Sequence, residues 1–282
     1  MRKFFRNLGI ISLICFSFYF TEKTVKVIKE ADTLMIEIKN KQDIYYIKPI
    51  DGIIQDDTFI PGISGKKVNI EESYQKMKQY GMFNEGLLIY DAVKPKNQLN
   101  HNLDKYIISG NNLKKQVSII FTIDSSTYLD ELLELLHDNN IYVNFFVDGN
   151  WLEENSHYLS RFISEGHDIG SMSYNLNYED SSYPWMDNTI KKITHSKNNY
   201  CYNIKSNKKT LDICSRHLNY TIRPNIILDN NYMVNIKSNL KYGSIISLPL
   251  DREVITILPT LNKYIKSKGL ELVTLKELLK ED

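Results

Sequence analysis

Asp124 is the residue of this chain best placed to do chemistry. It follows the apolar stretch Val117–Ile123, which has the composition of a buried strand. A carboxylate in that place can act as a general base. The six histidines do not supply the His-x-x-x-His or His-Glu-x-x-His spacing that brings two imidazoles to one metal ion. The sequence therefore offers a candidate base, and we expect no metal site.

The polar residues around this position have structural alternatives. An aspartate before Ser125-Ser126-Thr127 can also cap a following helix, because its side chain accepts hydrogen bonds from the first backbone N–H groups. Arg223 ends another predicted strand, and it can pair with Asp124 or make an ion pair that only supports the fold. The catalytic candidates are Asp124 and Arg223, and both interpretations of each remain open.

The elements that position these residues alternate between strands and helices. The helix after Asp124 has the clearest pattern, since Leu129, Leu132, Leu133 and Leu136 recur with the spacing of one helix face. Alternation of this kind is typical of parallel strands joined by crossover helices, so the predicted fold class is α/β. Strands are predicted at 117–123, 141–147, 167–171, 219–223, 243–248 and 270–274.

Several short motifs occur in an order that resembles a known family. They are the strand ending in Asp124, the block Phe145-Phe-Val-Asp-Gly-Asn-Trp151, the turn Glu165-Gly-His-Asp-Ile-Gly170, the pair Arg223-Pro224, and a final strand and helix that end at Leu279. In this order they resemble the polysaccharide deacetylase family, the NodB-homology domain of carbohydrate esterase family 4. The aromatic block is most similar to sporulation and cell-wall members from spore-forming Gram-positive bacteria.

The resemblance implies a distorted (β/α) barrel that removes acetyl groups from N-acetylated sugars. Family enzymes hold a divalent metal such as zinc with one Asp and two His. The metal polarises the amide carbonyl, and a second Asp activates water. On this sequence the base falls on Asp124, but the ligand positions fall on Ser125, Met172 and Leu176. A thioether is a weak ligand for a hard ion and leucine is none, so we expect no cofactor.

Other motif positions also depart from the family pattern. The arginine motif is reduced to Arg223-Pro224-Asn225, and the late histidine that assists the leaving amine falls at about Pro249. His167 matches a turn residue that is not a ligand in the family. Tyr174 and Trp185 follow the ligand turn and are candidates for stacking on sugar rings; the alternative is that these aromatics only close the top of the barrel.

Composition excludes some classes of partner. The 282 residues are 42% hydrophobic and 24% charged, which is ordinary for a globular protein. Thirty-five Lys and Arg against 34 Asp and Glu give a formal charge of +1. We expect no nucleic-acid partner, because nucleic-acid binding normally requires a broad basic surface.

The N-terminal segment predicts export. Basic residues in Met1–Arg6 precede Leu8–Phe20, a run of 13 residues without charge. No small-residue cleavage site follows, so we favour an uncleaved membrane anchor with the remainder outside the cell membrane; secretion after cleavage is the alternative. Cys201 and Cys214 would then lie where disulfides are permitted, and they either pair or are two buried thiols.

The predicted domains are an anchor and connector over 1–30, a small β-rich α+β domain over 31–115, and the barrel over 116–282. In the small domain, a hairpin is predicted from Leu34–Lys39 and Asp43–Ile50, a helix at 71–79, and a strand at Gly86–Tyr90.

The function predicted from sequence is that of a membrane-anchored, extracytoplasmic, deacetylase-like protein. It would bind cell-wall glycan, such as peptidoglycan, or a wall-associated protein, without metal chemistry. One alternative is a divergent, active de-N-acetylase that uses Asp124. The other is a non-enzymatic scaffold for protein interactions.

Overall fold

The computed structural model describes residues 2–282, and the side chains at positions 2–12, 14, 22 and 25 lie outside that description. The α-helices within it are α1 (Arg2–Glu30), α2 (Thr33–Lys41), α3 (Ile70–Lys78), α4 (Leu129–Asp138), α5 (Gly149–Asn155), α6 (Tyr158–Ser164), α7 (Tyr183–Thr194), α8 (Lys208–Arg216), α9 (Tyr232–Asn239), α10 (Arg252–Ser267) and α11 (Leu275–Leu278).

The strands of the same residues are β1 (Ile53–Gln55), β2 (Thr58–Ile60), β3 (Gly65–Val68), β4 (Tyr90–Val93), β5 (Tyr106–Ile107), β6 (Gln116–Ile123), β7 (Asn144–Val147), β8 (Asp168–Ser171), β9 (Tyr200–Tyr202), β10 (Tyr220–Ile222), β11 (Ile226–Ile227), β12 (Ile245–Pro249) and β13 (Glu271–Leu272). The six strands predicted between residues 117 and 274 are thus present, most of them with narrower bounds.

The main sheet is a half-barrel. Its strand order is β1-β2-β5-β10-β9-β8-β7-β6-β12-β11, with β13 beside β6. Pairing along this order is parallel from β2 to β11, and only β1 and β2 pair antiparallel among these described strands. The predicted α/β class with parallel strands is confirmed. All carboxyl ends of the parallel strands therefore lie at one edge, where ligands of α/β sheets commonly bind.

Buried apolar clusters cover both faces of the sheet at β6. A strand buried on both faces is apolar along nearly its whole length, as the sequence of β6 is. Phe121 and Ile123 face a cluster that includes the four leucines of α4, all of them buried. Ile120, the residue before Phe121, belongs to a second cluster inside the half-barrel. The predicted amphipathic helix after Asp124 is confirmed.

The chain forms two compact units. One comprises residues up to Pro49 together with Ser64–Val93, and the other comprises Ile50–Ile63 together with Lys94–Asp282. The half-barrel lies wholly in the second unit. The sequence-based boundary between 115 and 116 stays a prediction, whereas the observed grouping assigns β1, β2 and β5 to the barrel.

The first unit differs from its predicted β-rich structure. The predicted hairpin at 34–50 is wrong, because α2 and a short 3-10 helix, Gln42–Tyr45, occupy most of it. Asp32 caps α2 by accepting a hydrogen bond from the Leu34 N–H, and Leu34, Met35 and Ile38 are buried on one face. The helix at 71–79 is confirmed as α3, with Asn69 as its cap.

The strand predicted at Gly86–Tyr90 is displaced. A 3-10 helix, Glu85–Leu87, precedes β4, which begins only at Tyr90 and pairs antiparallel with β3. These two strands form the whole sheet described in the first unit, so that unit is mainly helical.

Helix α1 contains the segment predicted to be an anchor. Over the part of the chain that the structure describes, no helix is both long and apolar enough to cross a membrane. The basic residues at 2, 3 and 6 and the first part of the apolar run lie outside the residues whose side chains are described.

Candidate functional site

A row of side chains at the carboxyl edge of the sheet forms the base of the candidate site. The strand register places Ile123, Val147, Ser171 and Cys201 side by side on β6, β7, β8 and β9. The next residue on each strand is therefore also in line, and these residues are Asp124, Asp148, Met172 and Tyr202. All four line a cleft of about 400 Å³.

Strands β11 and β12 complete the cleft. Pro249 lies opposite Thr122 in the β12–β6 register, and both line the cleft together with Ile227 and Asp229. The Tyr202 hydroxyl lies 2.6 Å from the Ser247 hydroxyl, and burial raises the pKa of Tyr202. The two hydroxyls thus remain neutral and share one hydrogen bond in the cleft wall.

Asp124 lies at the cleft with its side chain exposed. Among the hydrogen bonds and ion pairs of the described residues, none involves its carboxylate. It does not cap α4, because the N-cap is Tyr128 in the left-handed conformation without a side-chain cap. The Ser125 hydroxyl instead accepts from the Thr127 N–H at 3.1 Å in the turn before the helix. The capping interpretation of Asp124 is therefore wrong.

Met172 and Leu176 meet at the cleft, whereas Ser125 is absent from the described residues that line it. Met172 is 8% exposed and belongs to the apolar cluster inside the half-barrel. Leu176 is 37% exposed. The Leu176 N–H donates to the Met172 carbonyl at 3.0 Å, so a single turn of backbone brings the two side chains together.

Asp148 holds this turn in place, a role that sequence reasoning missed. One of its oxygens accepts from the Asn175 N–H at 2.6 Å, and the other accepts from the Asn150 N–H and side-chain amide. The Gly149 N–H also donates to the Ser173 carbonyl at 2.7 Å. The signal for Asp148 was its place directly after β7, which matches that of Asp124 after β6.

The side chains at the cleft do not fit a divalent metal ion. Met172 offers a thioether, Leu176 offers no donor atom, and the Ser125 hydroxyl is engaged in its own turn. Asp148 is already bound to N–H donors. Three aspartates line the cleft, yet across the described part of the chain no group of three or more His, Cys, Asp or Glu is arranged to hold a metal.

Arg223 points to other partners than Asp124. Its guanidinium donates to the Ser206 hydroxyl at 2.5 Å, lies 3.8 Å from an Asp57 oxygen, and stacks 4.8 Å from the Tyr106 ring centroid. Among the described ion pairs of Arg223, Asp57 is the carboxylate partner. The pairing with Asp124 is therefore wrong, and the structural alternative holds: Arg223 ties the segment after β9 to β5.

The two predicted stacking residues lie outside the residues that line the cleft. The Tyr174 ring packs against Gly149, where an added Cβ would lie 2.8 Å from ring atoms. Its hydroxyl donates to Glu153 at 2.6 Å, and burial with that carboxylate raises the pKa of Tyr174 to about 12. Trp185 is 46% exposed on α7. A role of either residue in sugar binding stays a prediction.

A second groove adjoins the cleft. It has a volume of about 570 Å³ and shares Leu176, Tyr202 and Ile204 with the cleft. The rest of its lining is polar and includes Lys205 and Lys208. The combined surface runs from β12 to the start of α8.

Cys201 and Cys214 are joined by a disulfide with a Cα–Cα distance of 6.4 Å. It links β9 to α8 and is buried with Tyr178 and Tyr183. These two tyrosines are thus part of the core. The link fixes the end of β9, where Tyr202 enters the cleft.

Part of this chain matches a known protein family. The model of the polysaccharide deacetylase family matches residues 109–225. The uncharacterised protein YlxY of Bacillus subtilis (strain 168) is 37% identical over 157 residues, which cover 54% of this chain and 48% of the relative. The chain thus spans about half the length of that curated relative.

Solved structures share the fold. BA3943 of Bacillus anthracis, a CE4 family pseudoenzyme, has a TM-score of 0.66 at 21% identity, covering 89% of this chain and 96% of that one. A BA3943 mutant described as having restored enzymatic activity has the same TM-score and identity and is covered over 99% of its length. The Bc1960 peptidoglycan N-acetylglucosamine deacetylase has a TM-score of 0.56 at 16% identity, covering 63% and 94%.

At these identities the solved structures show the fold alone, and the family model adds the assignment of residues 109–225. Residues 109–225 therefore match the polysaccharide deacetylase family model, and the half-barrel has the fold of carbohydrate esterase family 4 structures.

Proposed function

We propose that this chain binds cell-wall glycan in the cleft at the carboxyl edge of its half-barrel and does not hydrolyse it. The observation that carries the proposal is the composition of the cleft. Asp124 is present as a candidate base, but Met172 and Leu176 line the cleft with apolar atoms where the family resemblance calls for imidazoles.

The chemistry of amide hydrolysis supports this proposal. A neutral amide resists attack by water unless its carbonyl is polarised and the water is activated, and a metal ion supplies both effects. Asp124 can accept a proton, but the described residues contain no cluster of three or more side chains arranged to hold a metal, and those that line the cleft include no Lys, Arg or His to stabilise an oxyanion. Binding without turnover is what such a cleft supports best.

The backbone conformation of the 172–176 turn also supports the proposal that the site has lost its metal-binding side chains. Leu176 has a φ of 62°, in the left-handed region. A bulky residue such as leucine is unusual there, whereas histidine is several-fold enriched. The turn thus has a backbone that suits histidine better than the leucine it carries.

The comparisons suggest the ligand class and the state of the site. Bc1960 is a peptidoglycan N-acetylglucosamine deacetylase, and BA3943 is a pseudoenzyme whose mutant regained activity. By analogy, the ligand proposed for this chain is peptidoglycan or a related amino-sugar polymer.

The location proposed is outside the cell membrane, with the N-terminal segment as anchor. The support is the charge-free run Leu8–Phe20 behind basic residues. The Cys201–Cys214 disulfide adds to it, because disulfides persist mainly in oxidising compartments.

The test restores the three ligand positions together. We expect the wild-type chain to contain no stoichiometric zinc and to release no acetate from N-acetylglucosamine oligomers. The triple variant Ser125→Asp/Met172→His/Leu176→His should bind about one zinc and release acetate, measured by elemental analysis and an acetate assay. Adding Asp124→Ala to the triple variant should keep the zinc and abolish acetate release.

A different result for the wild-type chain would contradict the proposal. Acetate release by the unmodified protein, lost in Asp124→Ala, would show the divergent active enzyme instead. Failure of the wild type to bind any glycan, with correct folding, would favour the scaffold hypothesis.

A further inference from the structure

We propose that the cleft selects a sugar with a free amino group, so that the ligand is de-N-acetylated glycan rather than its acetylated precursor. This inference rests on the proposed function and specifies the ligand of the same cleft. It follows from the charge that the cleft carries.

The carboxylates of the cleft have no cation to balance them within the described residues. Asp124 and Asp229 are exposed there, and neither side chain has a hydrogen-bond or ion-pair partner among those residues. Asp148 is different, because its oxygens already accept backbone N–H groups. No Lys, Arg or His is among the described residues lining the cleft. The free acceptor capacity therefore belongs to Asp124 and Asp229.

Arg223 explains why this charge is uncompensated. Its guanidinium is held by Ser206, Asp57 and the Tyr106 ring. Arg223 thus makes its ion pair with Asp57, and among the described residues no arginine lines the cleft beside its carboxylates.

Ammonium and N-acetyl groups differ sharply in how they meet such a surface. A carboxylate only accepts hydrogen bonds, and a protonated amine donates up to three with charge assistance. An N-acetyl group offers one N–H and a carbonyl oxygen that carboxylates repel. The Tyr202 and Ser247 hydroxyls bond to one another, which uses one of their two O–H donors and leaves only one free for that carbonyl.

The surroundings fix where the amine can lie. Met172, Leu176 and Ile227 give the cleft an apolar side that suits the C–H face of a sugar ring. The adjoining groove carries Lys205 and Lys208, which repel an ammonium group. The amino sugar is therefore assigned to the cleft and the following sugars to the groove.

Isothermal titration calorimetry of the full chain tests this at about pH 6, where the amine is protonated. The two probes are the fully acetylated N-acetylglucosamine tetramer and the same tetramer with one terminal sugar de-N-acetylated, called here the glucosamine tetramer. We expect the glucosamine tetramer to bind at least about tenfold more tightly, a difference of about 1.4 kcal/mol. Raised salt should reduce that difference.

Matched variants locate the effect. Asp124→Asn and Asp229→Asn should each weaken binding of the glucosamine tetramer several-fold and change binding of the acetylated tetramer little. Asp138→Asn, which removes the same charge from the exposed end of α4, should change neither. Circular dichroism of each variant checks that the fold is retained.

Equal or tighter binding of the acetylated tetramer would overturn this inference and leave the proposed glycan binding intact. An unchanged preference in Asp124→Asn and Asp229→Asn would also overturn it. Binding of neither tetramer by the folded chain would overturn the proposed function itself.

Discussion

Leu176 has a left-handed backbone conformation that is unusual for leucine. Its left-handed backbone is fixed by hydrogen bonds of its neighbours: the Asn175 N–H donates to Asp148, and the Ser173 hydroxyl donates to the Asn177 carbonyl. These contacts do not involve the Leu176 side chain. These contacts therefore hold the turn without help from the side chain at 176, so that side chain can change from leucine to histidine while they are retained.

His167 predicts how stability depends on pH. It is buried, its Nδ1 accepts from the Val143 N–H, and burial lowers the pKa of His167 to about 4 from 6.5. The unfolded chain binds the proton more readily between these values, so stability is highest above pH 6.5 and falls as the pH drops towards 4. The loss attributable to this group is on the order of 3 kcal/mol.

Urea unfolding at several pH values measures that loss. His167→Gln keeps an acceptor for the Val143 N–H but cannot be protonated, and it should flatten the fall in stability between pH 6.5 and 4. His137→Gln, at an exposed position on α4, is the control and should behave like wild type. If both variants keep the wild-type slope, His167 is not the titrating group.

Some site residues could be predicted from sequence and others could not. Asp124 and Met172 come together because strand ends align across a parallel sheet, and the turn after β8 adds Leu176, whereas Ser125, the third ligand position of the resemblance, does not line the cleft. The partners of Arg223 could not be foreseen, since they come from the segment after β9 and from residue 57, far away in sequence. Tyr174 is aromatic for a local reason, its packing on Gly149, which no motif expresses.

At the scale of elements, the disulfide joins β9 to α8, which are 13 residues apart at the two cysteines. Closing a loop of that size stabilises a fold by about 3 kcal/mol, because it restricts the unfolded chain. We expect Cys201→Ala/Cys214→Ala to lose about that amount in chemical unfolding. The same loss should follow when wild type is unfolded with a reductant.

Cys15→Ala is the matched control, because Cys15 is a free, exposed thiol in α1. It should unfold as wild type does in both conditions. Insensitivity of the wild-type chain to reductant would contradict a stabilising disulfide.

Element type was predicted well for long periodic segments and poorly for short ones. The helix at 129–138 has four leucines on one face, and their spacing fits a helix but not a strand. The stretch Leu34–Lys39 is short, apolar and alternating, so periodicity alone does not separate strand from helix. The available sequence signal was Asp32, because aspartate is a preferred N-cap residue, and it indicates a helix rather than a strand.

At the scale of the whole molecule, the second unit is discontinuous in sequence. Removing residues before 116 would take away β1, β2 and β5, and with them Phe59 and Ile107 of the inner cluster. It would also remove Tyr106, whose hydroxyl accepts from the Asn207 N–H beside the groove. A fragment of 116–282 should therefore not unfold cooperatively.

A spliced fragment provides the comparison. Residues 50–63 joined by a short Gly-Ser linker to 94–282 should unfold in one cooperative transition, measured by circular dichroism against urea. The splice is short because a Cβ built on Gly62 would lie 3.0 Å from the Pro95 Cβ. Cooperative unfolding of 116–282 alone would show that β1, β2 and β5 are dispensable.

Because Ser64–Val93 interrupts the sequence of the half-barrel, it also limits how the second unit can be exchanged between genes. A cassette that moves between genes must be one continuous stretch of DNA, and no such stretch encodes the second unit without that insert. Recombination at a single junction would either separate the β1–β2 hairpin from the rest of the half-barrel or include Ser64–Val93 as well. Any continuous stretch that encodes the whole second unit therefore also encodes Ser64–Val93 of the first.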